Sequence, residues 1–230
     1  MAIDWVYTGA AMQGWGSLIQ AAAAGGLLWV GWRGVDAWKR EAAHQRETEL
    51  GDAVLVNCYQ AADVLRDMAR RRGYKHVRID IPKNDWESNW LWHTRENLAV
   101  AEHIYSSNIA AFQALRLQRH KAQAVLTDGQ AKKLDAFNDI ANWLIMNANL
   151  AVFEAIDIDS IEQDKKAGRE YDAEVLRDCK ARLEEHRQIL GIRSLQRDPD
   201  APPHPVDVRI AAAIKAVEDV FKAGAPRTPL

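Results

Sequence analysis

Cysteine is nearly missing from this chain. Its 230 residues hold two, Cys58 and Cys179, far apart in sequence. A disulfide scaffold is excluded, and a reducing compartment is the simplest setting for two lone thiols. Proline is sparse as well, with none before Pro82, so long helices can run unbroken. No charge of one sign dominates: 30 Lys and Arg stand against 32 Asp and Glu. That balance excludes a global basic field for nucleic acid and an acidic, disordered chain. Motifs of catalysis are missing too. There is no Gly-x-Ser-x-Gly, no phosphate-binding loop, no dinucleotide-binding glycine pattern and no Cys-x-x-Cys, so no enzyme is expected. No repeat of 20 to 50 residues and no run of strand-like alternation stands out.

What is present is a large apolar fraction, 48%, and nine tryptophans. Trp5, Trp15, Trp29, Trp32 and Trp38 crowd the start of the chain. From Trp5 to Trp32 there is no charged residue. Roughly 20 helical residues cross a bilayer core, and residues 12–32 meet that length. Indole rings flank the segment as they do at membrane interfaces, and Arg33, Lys39, Arg40 and Arg46 follow it. No Lys or Arg precedes them. The expectation is a signal anchor at the bacterial inner membrane, with residues 1–11 outside and the rest cytoplasmic. A cleaved signal peptide would place its basic residues first. The competing reading is a helix buried in a soluble assembly, because the segment is Ala- and Gly-rich and holds Gln13 and Gln20. Ser17, Ala21 and Gly25 recur every four residues, with Gln20 beside them. Such a stripe lets two helices approach closely, so self-association into a homo-oligomer is expected.

The remainder reads as all-α, an anchor running into a long-helix bundle with coiled-coil-like spacing. Val54, Cys58, Ala61, Leu65 and Met68 mark one helical face, ending at the Arg70–Arg72 cluster and Gly73. Gly51 offers a point of bending. A second helix is predicted from Asp85 to Gln123, carrying Leu91, Leu98, Ala101, Tyr105, Phe112 and Leu115. Thr127 and Gln130 have capping-box spacing before a third helix bearing Leu134, Phe137, Ala141, Leu144, Ala148 and Ala151. Its asparagines Asn138, Asn142, Asn147 and Asn149 suggest a polar network between helices. Ser160 and Gln163 repeat the cap signal. Gly168 can interrupt the helix before Leu176, Cys179, Leu183 and Leu190, and Gly191 is a stop. Residues 33–193 thus form the bundle. Residues 194–205 are a Pro-rich linker, and 206–230 a last amphipathic helix and tail.

The segment Trp38-Lys39-Arg40-Glu41, with Ala53 through Arg66 (AVLVNCYQAADVLR), resembles a group of bacterial and prophage single-pass membrane proteins. These have an N-terminal transmembrane helix and a cytoplasmic helical domain. The resemblance covers the first 72 residues, and more loosely the helices up to Glu154. It implies the topology and assigns no residue a role.

Candidate sites are few. A di-metal bundle needs two Glu-x-x-His motifs, and only Glu41–His44 is present. His93, Glu96 and His103 fall on roughly one side of a helix and are weak metal candidates, so no metal or cofactor is expected. Both cysteines sit on apolar faces and read as core. Arg70, Arg71, Arg72, Lys75 and Arg78, with His76, form one basic patch. A solvated helix end explains it better than phosphate binding, and no nucleic-acid partner is expected. Trp86 and Trp90, four apart, would pair on a helix and either close the bundle or meet a protein partner. The function expected is a membrane-anchored helical interaction or scaffold protein, self-associating and phage-related. The alternative is a soluble all-α oligomer, structural or metal-binding, with its first helix buried.

Overall fold

The structure is a computed structural model that describes residues 5–70, 79–192 and 203–224. In its first helix, side chains are described from Gly25 onward, Leu28 excepted. Among the described residues the chain is all-α, with no strand. Seven α-helices follow in order: α1 (Trp5–Arg70), α2 (Asn89–Ser107), α3 (Ile109–Ala122), α4 (Asp128–Ala131), α5 (Ala136–Lys166), α6 (Ala173–Ile189) and α7 (Pro205–Gly224). A 3-10 turn, Lys132–Asp135, leads into α5. The chain divides into two units, Met1–Glu49 and Leu50–Leu230.

From Trp5 onward the first unit is the start of α1, an unbroken helix whose stretch up to Trp32 holds no charge. Leu27, Trp29, Val30, Trp32, Val35 and Trp38 are all exposed on it. Among the described residues no helix is long and apolar enough to cross a membrane. The transmembrane character expected of residues 12–32 is therefore not supported, although the helix itself is present. Its Leu, Ile and Val are diluted by Ala, Gly, Gln13 and Gln20.

The second unit is the bundle, and its core follows the periodicity of the sequence. Val54, Cys58, Ala61, Leu65 and Met68 are all fully buried on α1. Leu91, Leu98, Ala101, Phe112 and Leu115 are buried on α2 and α3, and Phe137, Ala141, Leu144, Ala148 and Ala151 on α5. Burying each large apolar side chain contributes about 1.5–3 kcal/mol. α5 is the central helix, with α2 and α6 packed against it. α6 runs antiparallel to it, tied by Lys180 to Glu162 at 2.7 Å and by the Arg182 fork on Glu154 at 2.7 and 3.1 Å.

Local predictions differ from what forms at four places. The single helix predicted over residues 85–123 is two helices. Asn108 breaks it, with φ −117° and ψ 20°, while its own amide donates to the Ile104 carbonyl at 2.8 Å. Asparagine competes for backbone carbonyls in this way and so ends helices without Pro or Gly. The helix also begins later, at Asn89, because Ser88 Oγ accepts from the Leu91 N–H at 3.1 Å. Finally, Ser160 caps nothing, since α5 passes straight through it to Lys166. The Thr127–Gln130 capping box does form, but it opens the short α4 and not a long helix.

Gly168 and Gly191 both take positive φ, 70° and 62°, and close α5 and α6 in the left-handed turn that suits glycine. α7 returns along α1 in the opposite direction. Arg70 pairs with Asp207 near its start, and the Tyr59 hydroxyl donates to Glu218 at 3.1 Å near its end. A Cβ on Gly51 would stand 3.0 Å from the Phe221 ring. The bare α-carbon of Gly51 thus lets α7 close on α1, and α1 continues through it as helix.

Candidate interaction surface

The corner between residues 81 and 90 is pinned at several points. Glu87 is buried there, its side chain wholly out of solvent. It accepts from the Asn84 backbone N–H and from the Asn84 amide, both at 3.1 Å, and pairs with Arg95 of α2. Burial pushes its carboxyl pKa up, but the Asn84 bonds and Arg95 outweigh burial and hold it below its ordinary value. Next in the chain, the Ser88 hydroxyl and N–H both donate to Asp159 of α5. Gln163 donates to Asp159 at 2.9 Å and to the Trp86 carbonyl at 3.2 Å. Trp92 donates its indole N–H to the Ile81 carbonyl at 2.8 Å.

On this rigid mount Trp86 and Trp90 are both exposed, at 56% and 42%. They do not form a helical pair, because Trp86 precedes the Ser88 cap and only Trp90 lies on α2. Trp92 is the tryptophan of this group that packs. Neither exposed indole closes the bundle. The backbone that carries Trp86 is tied to α5 through its carbonyl, and two large exposed aromatic side chains at such a corner are a surface suited to a protein partner.

The other candidates separate. His93 and Glu96 make an exposed pair at 3.0 Å on α2. His103 does not join them in a cluster able to hold a metal. Arg70 is engaged with Asp207, and Arg71, Arg72, Lys75 and Arg78 lie outside the described residues. So do the side chains of Ser17, Gln20 and Ala21. Gly25 is exposed, and a Cβ there would meet nothing within 4 Å. Of the four asparagines, Asn147 joins two helices among the described residues, with His186 Nδ1 2.9 Å from its Oδ1.

Spacing in the sequence could not show the cluster of Glu154, Asp157 and Cys179, whose ligand-type atoms lie within 4.8 Å of one another. Both Glu154 oxygens face the Arg182 guanidinium, which holds the carboxyl below its ordinary pKa. Burial, and then Glu154, raise the Cys179 thiol, so it stays protonated. A cation would have to displace Arg182 and take a proton from sulfur, and the cluster is accordingly an ion pair beside a neutral thiol. Cys58 is fully buried, and burial pushes its pKa up to about 12. A thiol-specific reagent at pH 8 should therefore label neither cysteine in the native chain and both in denaturant. Fast labelling of the native chain would show that one of the helices carrying them opens.

No protein-family model, curated protein or solved structure matches the chain.

Proposed function

We propose that this chain is a helical interaction protein: a packed bundle presenting a partner surface, joined to an N-terminal helix that attaches it to a bacterial inner membrane. The observation that carries this reading is the exposure of Leu27, Trp29, Val30 and Trp32, each more than half open to solvent on the stretch of α1 that holds no charged residue. Uncovered apolar surface of that density marks a membrane or protein contact. Trp29 is also stacked under Arg33, the guanidinium 4.9 Å from the ring, an arrangement suited to the headgroup zone. Self-association through Ser17, Ala21 and Gly25 belongs to the same reading, as does a phage-related setting, which rests on the resemblance.

A second reading has its own support. The modest apolarity of the segment favours a soluble all-α oligomer whose first helices cover one another. Fractionation separates the two. Full-length protein should remain with membranes through a carbonate wash, and a reporter fused after Leu230 should work only as a cytoplasmic reporter. Release of intact chain into the wash would favour the soluble oligomer.

A further inference from the structure

α5 carries more apolar surface than the core needs. Phe137, Ala141, Leu144, Ala148 and Ala151 are buried inward, while Met146, Leu150 and Phe153 stand outward at 55%, 42% and 64% exposure. A helix apolar on opposite sides requires cover on both. Trp143, Met146, Leu150, Phe153 and Asp157 advance by three, four, three and four residues, the spacing of a seam between two helices. α2 and α6 already hold the flanks of α5, through Asp159 and through Glu154.

The ends of this seam carry opposite charges. At one end Arg209 of α7 is exposed and stacked on Trp143, its guanidinium 4.1 Å from the ring. At the other, Asp157 is exposed at the rim of the cluster it forms with Glu154 and Cys179, within 4.8 Å of both. Among the described residues neither makes an ion pair. Trp143 and Asp157 lie seven residues before and after Leu150. Each is thus about 10 Å from it along the helix.

We propose that this face is the seam of a symmetric dimer, in which a second copy lays its α5 antiparallel over the first with the twofold axis at Leu150. The two Leu150 side chains then meet at the axis, and Met146 and Phe153 interdigitate beside them. Arg209 faces the partner subunit's Asp157, and the same contact recurs on the other side of the axis. A parallel pair would instead oppose like charges at both ends. The occupant is therefore a copy of this chain, because the charge pattern is its own complement. Each partner covers little more than one helix face, so the affinity is modest. The seam deepens the self-association of the reading above, and it does not depend on the membrane attachment.

The test uses the full chain in detergent. Leu150→Cys places a thiol at the axis, on an exposed position, while the native thiols are buried. A short bismaleimide should then yield a covalent dimer. In that background Asp157→Arg should slow dimer formation about tenfold, since it sets like charges together twice. Adding Arg209→Asp should restore the rate by exchanging the pair. Equal circular dichroism across the variants confirms that the fold is intact. Absence of the covalent dimer, or slowing that the exchanged pair does not relieve, would overturn the seam. An oligomer in sedimentation without the crosslink would overturn the seam and leave association through the N-terminal helix standing. A monomer at all concentrations would remove both.

Discussion

Replacing Gly191 with alanine should destabilise the bundle by about 3 kcal/mol or more. Two costs combine. Gly191 has φ of 62°, where an L side chain is strained, at about 1–2 kcal/mol. Its Cβ would also stand 3.2 Å from the Ala69 carbonyl carbon and overlap the carbonyl oxygen, so backbone must move. Urea unfolding should show a lower midpoint at an unchanged slope. Gly168→Ala is the internal comparison. Gly168 has nearly the same dihedral, 70°, but a Cβ there meets nothing within 4 Å. Its cost should be about 1 kcal/mol, the conformational part alone. Equal losses at the two glycines would show that α6 does not close against the end of α1.

Glu87→Gln should cost about 2 kcal/mol at neutral pH, and the loss should shrink in acid. The substitution keeps the shape but removes the charge that Arg95 and the Asn84 donors hold in place. Breaking a wholly buried pair costs more. Here the Arg95 side chain is 23% exposed, and water takes up part of its charge. The sign of the pH dependence follows from the direction of the shift. Glu87 in the folded chain titrates below its ordinary value, so the unfolded chain takes the proton first as pH falls. The stabilisation is complete above about pH 4.3, the value for an unstrained glutamate, and fades as pH drops through the folded value. The gap in unfolding free energy between the parent and Glu87→Gln should therefore be widest at pH 7 and narrow steadily as the pH falls below about 4.3. A gap that persists in acid would assign the effect to packing and remove the ion pair from the account.

Core positions were legible in the sequence because helical burial leaves a repeat. Val54, Cys58, Ala61, Leu65 and Met68 announce one face through spacing, and all are buried together. Caps were legible where the residues that make them are neighbours in sequence, as at Thr127 with Gln130 and at Gly191. The Trp corner was not. Its buried carboxylate depends on Asn84 from the turn and Arg95 two helical turns on, and Asp159 and Gln163 arrive from α5. No periodicity links those residues. The same limit hid the Asn108 break, because a side chain taking its own helix's carbonyl leaves the apolar repeat untouched on either side. The outward seam of α5 escaped notice for the opposite reason. Both of its faces are apolar, and spacing alone does not say which one the bundle covers.

The closure of α7 on α1 sets an order of events during synthesis. Tyr59 finds Glu218 only across 159 residues of sequence, and Arg70 finds Asp207 only across 137. At about 5–20 residues per second, the ribosome needs roughly ten to thirty seconds to deliver the last helix after the first has emerged. For that interval the groove around Gly51 stands open, and the nascent chain is a client for whatever holds unfinished proteins. Loss of the last twenty residues would make that transient condition permanent.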